Sequence, residues 1–133
     1  MKTSKADFEI FVHECQFWID FYGLKDWHFY FRHNDKHEET LAYTSVDHKS
    51  KSALITMTKT WAADDITSDL IELTAHHEVC EVMTSQLEDL ANNRYVSNQD
   101  YIEEAKHEII TRLQNSVWAN RNKLRGGANF TPT

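Results

Sequence analysis

Apolar residues first recur at spacings of three and four, over Phe8, Phe11, Val12, Cys15, Trp18, Ile19 and Tyr22, and predict an amphipathic helix. Ser4-Lys5-Ala6-Asp7 reads as a capping box that starts it, and Gly23 supplies the left-handed residue that stops it. From Trp27 the period switches to two, with Trp27, Phe29 and Phe31 alternating with His28, Tyr30 and Arg32 as in a half-buried strand. The polar stretch His33–Glu39 connects this to a second strand over Thr40–Val46. A turn at Asp47–Lys51 leads to a third strand, Ser52–Thr58, with Ala53, Ile55 and Met57 on one face. Connections this short predict a three-stranded antiparallel meander covered on one face by helices.

The helical period returns after a loop at Trp61–Asp65, with Asp65 as N-cap, and runs to about Ala91. Apolar residues from Ile66 through Leu70, Leu73, Val79, Val82 and Leu87 to Leu90 fill most of its circumference and predict a largely buried helix. Thr74, His77, Glu78, Glu81, Ser85 and Glu88 gather in a narrower polar strip. Ser97–Asp100 reads as a second capping box, with Val96 and Tyr101 as its hydrophobic staple. Ile102, Ala105, Ile109, Leu113 and Val117 give the buried face of the third helix, which ends between Asn120 and Gly126. The sum is an α+β fold in one domain over 1–133, with a frayed tail at about 126–133.

A net charge of −7 argues against general binding to nucleic acid or an anionic membrane, and Arg121, Lys123 and Arg125 read as a solvated helix end. The sequence holds neither a membrane-spanning apolar run nor a signal-peptide core, so a cytoplasmic location is expected. Cys15 and Cys80 fall at apolar helical positions and read as two buried free thiols. Trp61 is the aromatic residue expected to line a cleft.

Chemistry concentrates in Thr74-Ala75-His76-His77-Glu78-Val79-Cys80-Glu81-Val82-Met83. His77 and Glu81 lie one turn apart on one helix face, where they can share a cation. Glu78 points about a quarter turn away, where a carboxylate can act on a metal-bound water. His76 points elsewhere and can meet Cys80 one turn on. Tyr95 and Tyr101 are possible oxyanion donors.

This His-Glu-x-x-Glu stretch, flanked by a helix and short strands before it and a helix after it, resembles the small zincin metallopeptidases. It is similar to the compact zincin-like proteins encoded by tailed bacteriophages. The resemblance implies zinc, with Glu78 as catalytic base and a third ligand on the following helix. That helix offers His107, which is preferred, and Glu103, the other standing beside the first. Glu81 replaces the family's second histidine and remains an acceptable zinc ligand. The implied function is hydrolysis of peptide bonds. The alternative is a non-catalytic zincin-like protein that binds a partner, in which Lys106, expected on the buried face of the third helix, pairs with Glu81 in place of the metal.

Overall fold

The computed structural model describes residues 1–35, 40–62, 64–93 and 98–125. Helix α1 spans Lys5–Phe21 and is capped as its sequence requires. The Ser4 hydroxyl accepts from the Asp7 N–H at 3.0 Å, and the Asp7 carboxylate accepts from the Ser4 N–H at 2.8 Å. Gly23, at φ 69°, turns the chain so that the Leu24 N–H reaches the Ile19 carbonyl at 3.0 Å. Phe11, Cys15, Ile19 and Leu24 are thereby buried.

Strands β1 (His28–His33), β2 (Ala42–Asp47) and β3 (Ser52–Met57) form a mixed sheet, not the expected meander. Its order is β1-β3-β2, with β1 parallel to β3 and β2 antiparallel to it. The composition of the strands explains the order. In β3, Ala53, Ile55, Thr56 and Met57 are buried, so it takes the centre. The more polar β2, with Thr44, Ser45 and Asp47, stands at an edge. Only β2 and β3 are joined by a hairpin-length turn. The ends of β1 and β2 that the longer segment joins stand on either side of β3, about 10 Å apart.

Helix α2 covers Ser68–Asn92. Its N-cap is Thr67, which accepts from the Leu70 N–H at 3.2 Å, and not Asp65. Asp69 then complements the dipole in the first turn. The expectation of burial around most of α2 is also corrected. Ile71, Thr74, Ala75, Glu78, Val79 and Val82 face inward, while Leu73 is 66% exposed. Neighbours cover part of the circumference and leave the line of Leu73, His77 and Glu81 open to solvent. One core joins α1, the sheet and α2 around Phe11, Ile55, Met57, Trp61 and Val79.

Helix α3 runs from Gln99 to Leu113, followed by a π-helical turn at Gln114–Trp118 and a short helix α4 at Arg121–Arg125. Asn98 is the N-cap, accepting from the Tyr101 N–H at 3.0 Å; Val96 and Ser97 of the expected box lie outside the described residues. The inward line of α3 differs from the expected one. Ala105 and Ser116 are buried and Ile109 half-buried, but Leu113 and Val117 are exposed. Arg112 is the reason. It turns inward to donate to the Gly23 carbonyl at 2.6 Å and to Asp26 at 2.9 Å, drawing a polar line to the inside. Lys106, expected among buried apolar residues, is exposed and lies 3.6 Å from Glu103. None of the described helices is long and apolar enough to cross a membrane.

Candidate active-site cleft

A cleft of about 660 Å³ opens between α2 and the edge strand β2. Thr40 to Thr44 form one wall, and Leu70, Leu73, Thr74, His77, Glu78 and Glu81 the other. The helical period brings the last three together. His77 Nε2 lies 3.1 Å from Glu81 Oε1, and both side chains are solvent-accessible. Glu78, on the flank that faces the sheet, is only 5% exposed. Its carboxylate accepts a 2.5 Å hydrogen bond from the Thr44 hydroxyl on β2.

Burial pushes the Glu78 carboxyl above its usual range, and the nearby Glu81 charge adds to this. The Thr44 hydrogen bond and His77 oppose the rise without cancelling it. Such a carboxyl is a better proton acceptor than an exposed one. Thr44 carried no local sequence signal; only the sheet order brings β2 beside α2 and exposes its role. The cleft continues into a smaller polar groove of about 280 Å³, which shares Thr44 and Glu81 and adds His48, Ser85, Glu88 and Asp89.

The proposed third ligands lie elsewhere. His107 Nε2 is 3.8 Å from Glu103 Oε2 on α3, and neither residue lines the cleft. Ala105, Glu108, Ile109 and Arg112 of α3 share a crevice with Val82, Met83, Gln86 and Leu87, on a side of α2 away from His77. The alternative Glu81–Lys106 pair gives way to two pairs within helices: Glu81 with His77, and Lys106 with Glu103.

The donor set suits a zinc ion in kind, one imidazole and one carboxylate, but falls short in number. Among the described residues, no three His, Cys, Asp or Glu side chains are grouped to hold a metal. His37, Glu38 and Glu39 lie outside those residues.

His76 faces α1, away from the cleft. Its Nε2 lies 2.9 Å from the Tyr22 hydroxyl, its ring meets Trp18 edge-on at 4.5 Å, and Cys80 Sγ is 3.7 Å away. Burial lowers the His76 pKa, with His77 adding to the fall against the pull of Glu14. The His76–Cys80 contact expected from spacing therefore forms, but within a packed aromatic joint. Both cysteines are free thiols, but only Cys15 is buried as expected; Cys80 is half-buried, and desolvation raises the pKa of each. Trp61 is fully buried in the core and lines no part of the cleft, contrary to expectation. Its place is fixed by the segment before α1, whose Met1 amine donates to the Trp61 carbonyl at 2.8 Å. Tyr101 is exposed and absent from the cleft wall, and Tyr95 lies outside the described residues. Comparison of the chain with family models, with curated proteins and with solved structures finds no match.

Proposed function

We propose that this chain is a small zincin-like, zinc-dependent peptide hydrolase whose reaction takes place in the cleft between β2 and α2. The observation that carries the reading is Glu78, a carboxyl buried in the cleft wall, clamped by Thr44 and adjacent in sequence to the His77–Glu81 pair. His77 and Glu81 are the residues that would hold zinc, whose chemistry is that of a Lewis acid. Glu78 takes the proton from the attacking water and returns it to the leaving amine nitrogen. Thr44 fixes one of its oxygens during that transfer. The edge of β2 suits an extended substrate, since its outer N–H and C=O groups can pair with a peptide laid in the cleft.

Metal analysis and peptide cleavage, measured on the same preparations, test this. Wild-type protein supplied with zinc is expected to take up about one ion per chain at the His77–Glu81 pair, and His77→Ala to take up none. Glu78→Gln is expected to keep the metal and lose about a hundredfold or more in rate. Cleavage unaffected by Glu78→Gln would remove Glu78 from the reaction.

A second reading rests on the donor count and on the direct His77–Glu81 contact. In it the cleft binds an extended segment of a partner protein without cutting it. Zinc-free, inactive wild-type protein that still binds unstructured peptides, with Leu73→Glu weakening the binding, would favour this reading.

A further inference from the structure

Helix α3 and its extension carry two lines of side chains, and only one is used inside the domain. Ala105, Ile109, Arg112 and Ser116 face inward. The other line, Ile110, Leu113, Val117 and Leu124, is exposed and lines an apolar groove of about 520 Å³. Trp118 stands on its wall at 61% exposure, with the Arg121 guanidinium 3.7 Å above its ring. Exposed apolar residues scattered singly need no explanation; a continuous groove of five does.

The spacing of Ile110, Leu113 and Val117 is that of a helix seam, which takes another helix as its partner. Charge selects which helix. The first half of α3 is acidic, with Asp100, Glu103 and Glu104 against Lys106, while Glu108 further on is paired with the inward-turned Arg112. The segment after it holds Arg121, Lys123 and Arg125 and no acid. Glu103 lies two turns before Ile110 on the same face, and Arg121 closes the other end of the groove. A helix that is acidic at one end and basic at the other complements its own inverted copy.

We propose that this groove is the interface of a homodimer, in which the α3 helices of two copies pack antiparallel about a two-fold axis near Leu113. This isologous arrangement buries both apolar lines and brings Arg121 of each copy toward the partner's Glu103. The cleft between β2 and α2 is lined by neither residue and stays open in the dimer.

Sedimentation equilibrium of the full-length protein, up to about 100 µM, tests the interface. Wild-type protein is expected to approach twice the chain mass, and Leu113→Glu or Val117→Glu to remain at the chain mass with unchanged helical circular dichroism. Arg121→Glu and Glu103→Arg are each expected to weaken association by roughly threefold, with the double exchange restoring it. A wild-type protein that stays monomeric overturns the proposal, as does a dimer indifferent to Leu113→Glu. If charge exchange fails to restore association, the antiparallel arrangement is wrong. Binding to anionic lipid vesicles by a monomeric wild type would assign the groove to a membrane surface instead.

Discussion

Glu78 shows what a single position contributes beyond its motif. The spacing of His77, Glu78 and Glu81 was legible because a helix makes contacts out of sequence intervals. The partner Thr44 was not, because a residue on another element leaves no periodic trace. Burial of Glu78 also has a stability cost with a definite sign. Its folded-state pKa is raised, so the folded protein holds this proton more tightly than the unfolded chain. Stability is therefore lost as pH rises through the ordinary carboxyl range toward the raised value. Glu78→Gln, which carries no charge, is expected to melt at a higher temperature than wild type near pH 7. That advantage should vanish below about pH 4 in thermal melts. Thr44→Val removes the opposing hydrogen bond, so it is expected to push the Glu78 pKa further up, as read by carboxyl titration in NMR.

The elements succeed or fail as sequence signals according to whether the deciding interaction is local. Ser4 and Gly23 bracket α1 through contacts within a few residues, and both ends were readable. Ser4→Ala is expected to lower stability by about 1 kcal/mol in chemical denaturation. Strand period assigned faces correctly in β1 but said nothing about neighbours, so the parallel β1–β3 pairing was hidden. On α3 the apolar period marks Ile102, Ala105 and Ile109 correctly but fails at Leu113 and Val117, where a polar side chain, Arg112, anchors the helix. The joint between α1 and α2 gives a second pH signature. His76, packed between Trp18 and Tyr22, has a lowered pKa, so the unfolded chain takes its proton first as pH falls. Stability contributed by neutral His76 is lost on acidification below about pH 6.5, and His76→Phe is expected to flatten that part of the melting-temperature profile.

The molecule as a whole has a firm body and a more lightly held arm. The body is the shared core of α1, the sheet and α2; of the residues in α3, only Ala105 is buried. The arm packs on α2 through Ala105 and Ile109 and is tied to the body by Arg112, whose partners include Asp26. Burial would raise the Asp26 pKa, but hydrogen bonds from Lys51 and Arg112 outweigh it and hold that carboxyl low. Arg112→Ala is expected to cost about 2 kcal/mol, and to speed amide exchange in α3 far more than in α1 or β3. The mixed sheet also imposes an order in time. Strands β2 and β3 meet through a turn of four residues, whereas β1 pairs with β3 at a separation of 24 residues, so the hairpin is expected to form first. The turn closes on Lys51, a residue with a side chain held at φ 51°. Early folding thus hinges on the most reluctant backbone angle in the hairpin. Glycine at that position relieves roughly 1 kcal/mol of strain, and in stopped-flow kinetics Lys51→Gly should accelerate folding, while loss of the Lys51–Asp26 ion pair leaves unfolding no slower.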